Sequence, residues 1–144
     1  MVLQALAPYY GTNAEVKSAV DEALKCLSDL QNSYGGYASW GTTNSESCAQ
    51  VITALTALGI DPDNDSRFVK NGNSVVDAFL SFYVEGGGFA HVAGGGVNGM
   101  ATEQGYYTLA AYSRWVNGQT SLYDMSDVEI EAGGNTDSGD NTGE

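Results

Sequence analysis

Basic residues are scarce in this chain. Five Lys and Arg stand against 18 Asp and Glu, and the only histidine is His91, so the net charge at pH 7 is −13. Seven of the acids lie in 124–144, a stretch with no base; the first 123 residues keep 11 acids and five bases, a net charge of −6. Nucleic-acid binding needs a basic surface that displaces counterions, and this chain cannot supply one. An anionic membrane would be repelled as well. No apolar run approaches the ~20 residues of a spanning helix. The opening MVLQALAPYY has no basic segment and is too short for a signal peptide, which leaves a processed or excised piece, or a cytosolic protein. Cysteine is nearly absent too: Cys26 and Cys48 form no CxxC, so no zinc site of ordinary spacing is expected. Both fall on apolar helical faces. Buried free thiols and a disulfide between paired helices are the two readings open at this point.

What the chain does contain is a unit written twice. Leu27 to Tyr37 reads LSDLQNSYGGY and Phe79 to Phe89 reads FLSFYVEGGGF, superimposing at an offset of 52 residues. A second apolar stretch follows each copy, opening at Ser45-Glu46-Ser47 and at Thr102-Glu103-Gln104, where the offset is 57. The added length is assigned to loop residues around Ala93 to Gly96. Leu3 to Leu6 lies 52 residues before Leu55 to Leu58, so 1–7 looks like the end of a preceding second helix. Such a period predicts stacked helix pairs, each unable to bury its apolar face alone.

The spacing predicts four helices and a remnant. Thr12-x-x-Glu15 reads as a capping box before a helix over 13–31, with Val16, Val20, Leu24 and Leu27 on one face. Gly35-Gly36 stops it. Thr43-x-x-Glu46 opens the second helix, whose face is Cys48, Val51, Ile52, Leu55 and Leu58, with Gly59 as its C-terminal cap. A polar connection from Asp61 to Asn73 follows, with a short turn of helix at 66–69. Ser74-x-x-Asp77 starts the third helix, carrying Val76, Phe79, Leu80 and Tyr83, and Thr102 is expected to cap the fourth, with Gly105, Thr108, Leu109, Tyr112 and Trp115 on its face. From about Asp127 the composition becomes polar and acidic, and 126–144 reads as a disordered linker to a further domain of the parent chain.

Gln31-x-x-x-Gly35-Gly36-Tyr37, preceded by Leu27 and Leu30, resembles the Q-x-x-x-G-G-F/W signature of prenyltransferase and squalene-oxidase repeats. Glu46 to Pro62 looks like the second helix of such repeats in bacterial surface proteins, similar in layout to the α-domain of cobalamin carriers. The resemblance covers roughly 1–125 and is weaker in the second repeat, where Tyr83 replaces the glutamine. It implies an all-α fold, an α/α toroid-like arc of about two helix hairpins plus a partial one (1–10, 12–62 and 74–118). A closed toroid of this kind has five to seven helix pairs. The arc is therefore expected to be open, completed by missing residues or by another copy of the chain, a homo-oligomer. The same resemblance implies a secreted or cell-surface location.

No catalytic residue, cofactor or metal is expected. Asp61-Pro62-Asp63-Asn64-Asp65 differs in spacing from the acid motif of terpene cyclases and reads as a solvated turn rather than an acid or a calcium loop. Prenyl transfer would need Asp, Cys and His on neighbouring inner helices, and His91 lies in a glycine-rich loop. A complement-type thioester needs cysteine and glutamine three apart, whereas Cys48 and Gln50 are two apart. Glu46 and Glu103 have two readings, capping-box acids or cavity carboxylates. Tyr37 and Phe89 read as packing residues. The expectation is a non-catalytic binding or spacer module, with a small-molecule or glycan site formed by Trp40, Glu46, His91, Glu103, Gln104 and Tyr107. The alternatives are an isoprenoid cyclase or prenyltransferase, and half of a corrinoid-binding site, the latter by analogy with the carriers.

Overall fold

The computed structural model describes residues 2–130. The chain is predominantly helical, with two small antiparallel sheets. Helix α1 (Val2–Leu6) runs into a 3-10 turn (Ala7–Tyr9), and α2 (Ala14–Leu30) follows. Strands β1 (Ala38–Ser39) and β2 (Thr42–Thr43) pair as a hairpin before α3 (Ser45–Ala57). A 3-10 helix (Ser66–Phe68) leads to a second hairpin, β3 (Val69–Lys70) with β4 (Asn73–Ser74). Helix α4 (Val75–Leu80) and the long α5 (Gly99–Val116) complete the order.

The helices start where asparagine can cap them. Asn13, Asn44 and Asn98 each hold an extended backbone and accept amide protons of the first turn on their side-chain oxygens. The expected caps at Thr12, Thr43 and Thr102 are corrected accordingly: Thr12 and Thr43 stand one residue before the capping asparagine, Thr102 lies inside α5, and asparagine is among the strongest N-cap residues. Only Ser74 with Asp77 forms the reciprocal capping box foreseen. Helix α4 ends at Leu80, short of Tyr83, because Tyr83 instead pairs with Phe89 across an antiparallel bridge. Both hairpins were unforeseen. Each turns on two residues of positive φ, Trp40-Gly41 and Asn71-Gly72, the twist that two-residue hairpins require.

The repetition is visible in the backbone. Gly35 N donates to Asn32 O at 3.0 Å and Asn32 N to Gly36 O at 3.0 Å; 52 residues on, Gly87 N donates to Val84 O at 3.1 Å and Val84 N to Gly88 O at 2.9 Å. The corners then lead into their helices alike, Asn44 N donating to Tyr37 O and Asn98 N to Phe89 O. Hairpin pair Ala38–Thr43 corresponds to bridge Ala90–Val97. The second helices are thus related by 54 residues, not 57, because the loop of the second repeat is longer by two. Glu46 and Glu103 are therefore not counterparts; Gln50 and Gln104 are.

One core unites the repeats. Val20 and Leu24 of α2 meet Cys48, Ile52 and Leu55 of α3, with Phe68, Val75, Phe79 and Phe89 closing the other side, all at most 1% exposed. Burying each such side chain contributes roughly 1.5–3 kcal/mol. Phe79 stacks on Phe89 with ring centroids 4.6 Å apart. Two close approaches need glycine: a Cβ on Gly35 would collide with Ser74 O, and one on Gly105 with the Phe89 ring. Cys26 and Cys48 are both free; Cys48 is buried as expected, but Cys26 is exposed. The segment Asp61 to Asp65 is a turn, as expected, with Asn64 exposed; it is hydrogen-bonded as well, since Asp61 accepts from the amides of Asp63 and Asn64, Pro62 is fully buried, and Asp65 pairs with Arg67. Of the expected linker, 126–130 are described, and Asp127 is bound by Arg114 and Thr120; 131–144 lie outside the described residues. Among the described residues no helix is long and apolar enough to cross a membrane.

Candidate functional site

Where the two repeats meet, the glycine-rich loop of the second folds over the start of α3. Ser45 N donates to His91 O at 3.1 Å, and His91 Nδ1 lies 2.9 and 2.8 Å from the two carboxylate oxygens of Glu46. Contacts that short to a carboxylate require the proton on Nδ1. Nε2 is left as the outward nitrogen of a half-exposed ring. Glu46 also accepts from the Ser45 hydroxyl at 3.2 Å and makes no capping-box bond. Its place in the first turn of α3 still stabilises the carboxylate through the helix dipole.

Below this pair lies a groove of about 720 Å³. Leu27, Leu30, Val51 and Met100 form its apolar wall, and Ser39, Glu46, Ser47, Gln50, His91 and Gln104 its polar one, with Tyr37 and Asn44 at the corner. Its floor is tied together by amides. Gln4 Nε2 donates to Gln50 Oε1 at 3.0 Å, and Gln50 Nε2 donates to Gln104 Oε1 at 3.1 Å and to the Tyr107 hydroxyl at 2.6 Å. The Tyr123 hydroxyl donates to Gln4 Oε1 at 3.2 Å, bringing the C-terminal segment back to α1. Beneath these, Thr53 and Thr108 share a buried hydroxyl contact at 3.0 Å between α3 and α5.

Of the six residues expected at the site, Glu46, His91 and Gln104 line the groove. Tyr107 stands behind it as an acceptor for Gln50, its phenol raised above the ordinary value mainly by burial. Trp40 and Glu103 are not brought in. Trp40 sits fully exposed at the tip of the β1–β2 hairpin with φ +51°, although its neighbours Ala38 and Ser39 do line the groove. Glu103 is exposed on α5, about one helical turn past Met100, the position that the 54-residue register pairs with Glu46. Gln4, Ser47, Gln50 and Tyr123 were missed. The equivalence of Gln50 and Gln104 could have been found from the shared Asn caps.

The corner itself is buried. Tyr37 is 5% exposed, its hydroxyl has no hydrogen-bond partner among the described residues, and burial followed by the neighbouring Cys48 thiol raises its pKa. Burial likewise pushes the Cys48 thiol up to about 11, against a smaller opposing effect of the Tyr37 backbone. Thr102, which takes the place of Cys48 in the second repeat, meets the backbone of Phe89 in the same way, accepting from its N at 2.9 Å. Among the described residues no three His, Cys, Asp or Glu side chains gather closely enough to form a metal site. No protein-family profile, curated protein or solved structure matches the chain.

Proposed function

We propose that the chain is a non-catalytic binding module, an open arc of α/α repeats whose ligand occupies the groove between the Glu46–His91 pair and Gln104. The observation that carries this reading is the His91–Glu46 contact itself. A loop of one repeat crosses to the inner helix of the other, where Glu46 binds the His91 imidazole through Nδ1 and, among the described residues, leaves Nε2 without a partner beside an apolar wall. A few placed polar groups against an apolar surface are the usual composition of a small-molecule site, and the volume lies within the usual span of roughly 300–1,000 Å³. The repeated corners at Gly35-Gly36 and Gly87-Gly88 support the α/α-arc reading, and the secreted or surface setting rests on the repeat signature alone. An isoprenyl diphosphate is less well served, because no Lys or Arg lines the groove.

Proton–nitrogen correlation NMR with a panel of neutral saccharides and polyols tests the reading. A ligand should move the side-chain amide signals of Gln50 and Gln104 together with the ring signals of His91, and Gln104→Ala should weaken that response at least severalfold. Shifts scattered away from these residues, or none across the panel, would overturn it.

A further inference from the structure

The groove has a neighbour across Leu27, Gln50 and Val51. A second cavity of about 390 Å³ lies between α1, α2 and α3, lined by Val2, Leu3, Ala23, Cys26 and Ala54, and it shares Leu27, Gln50 and Val51 with the first. The polar and apolar cavities therefore have a common wall. Their hydrogen-bonding capacities differ sharply. Gln50 is committed at both ends of its amide. Among the described residues, the Gln104 Nε2 and the Ser47 hydroxyl have no partner, and the Ser39 hydroxyl only accepts, from Asn44 at 2.8 Å. With His91 Nε2, the polar end offers donors and acceptors together, which a hydroxyl group satisfies and a purely accepting head does not.

Charge narrows the ligand further. Glu46 is the one acidic residue on either lining and no Lys or Arg accompanies it. An anionic head would be held beside a carboxylate with nothing to offset its desolvation. The apolar half, where the Gln50 amide is already bonded and the Cys26 thiol is the one other polar group, suits a hydrocarbon. Resting on the binding reading above, we propose that the joined cavities take a single-chain amphiphile with an uncharged, hydroxyl-bearing head, the head at His91, Ser47 and Gln104 and the chain running past Leu27 toward Ala23 and Cys26.

Calorimetric titration of the intact chain with glucose, hexyl and octyl β-glucosides below their micelle thresholds, and octanoate tests this. Affinity should rise from glucose to hexyl to octyl glucoside, by up to about fourfold for each methylene fully buried, and octanoate should bind at least tenfold more weakly than octyl glucoside. Cys26→Arg, a change at an exposed position, should abolish the gain from the alkyl chain and leave the glucose titration unaltered. Ser47→Ala should weaken every glucoside. Equal affinity for glucose and octyl glucoside would overturn the amphiphile assignment while leaving the groove as a binding site. Octyl glucoside binding that ignores Cys26→Arg, or that octanoate matches, would also overturn it. Failure of glucose and both glucosides alike would remove the amphiphile and, with the NMR panel silent, the groove reading too.

Discussion

Helices α3 and α5 begin on the same cap, follow the same corner and contribute counterpart glutamines, yet they live in different surroundings. Nine of the 13 residues of α3 are buried, Thr53 and Thr56 among them, whereas α5 buries four of 18. The difference comes from neighbours. α3 is enclosed by α1, α4 and α5 and shares its core with Val20 and Leu24 of α2, while α5 packs chiefly on α3 and leaves Met100, Glu103, Tyr106, Ala110 and Ser113 exposed along one stripe. In a repeat stack the same helix is a core element or a surface according to whether another unit follows it. The sequence of α5 reflects this: small residues (Ala101, Gly105, Thr108 and Ala111) face inward and polar ones share the other side.

The comparison can be broken most directly at counterpart leucines. Leu55 is fully buried and Leu109 only partly. Leu55→Ala should cost about 3 kcal/mol or more and Leu109→Ala about 1, read by urea denaturation; equal costs would mean that α5 is as enclosed as α3. The caps come next. Asn44 is 2% exposed and its amide also donates to Ser39 and Thr42, whereas Asn98 lies on the surface. Asn98→Ala should lose the usual ~1 kcal/mol of a cap, and Asn44→Ala about twice that. The smallest effect belongs to the bare stripe. Ala110→Glu should stay within about 0.5 kcal/mol, while Thr56→Glu at the counterpart position, 7% exposed, should be severely destabilising because it buries a charge. A costly Ala110→Glu would show that the stripe is covered in solution.

Much of this architecture could be read from the residues, and the errors have physical causes. Helix α2 was legible to within a residue because Val16, Val20 and Leu24 keep helical spacing and Gly35-Gly36 favours a corner. The register of the second helices was not. Glu46 and Glu103 drew the alignment to 57 residues, but neither acid caps its helix, whereas Asn44 and Asn98 bear the hydrogen bonds that fix where each helix starts. Asn71-Gly72 carried a hairpin signal in plain view. At the site, Glu46, His91 and Gln104 were legible as unusual polar residues near corners, while Gln4 and Gln50 needed contacts across 46 and 54 positions that no local pattern encodes. Trp40 misled because an aromatic at a turn resembles a ligand contact, and here the turn carries it out into solvent.

The amides beneath the groove have a direction. Tyr123 gives its proton to Gln4, Gln4 to Gln50 and Gln50 to Gln104, so every link points the same way and the last one ends in an unspent N–H₂ facing the groove. No single amide can turn over without leaving its neighbours donor against donor or acceptor against acceptor. The row therefore holds one parity from the C-terminal segment to the groove, and whatever accepts a proton from Gln104 reinforces the whole row through mutual polarisation. A tyrosine 119 positions from the first glutamine is in this sense part of the groove's state.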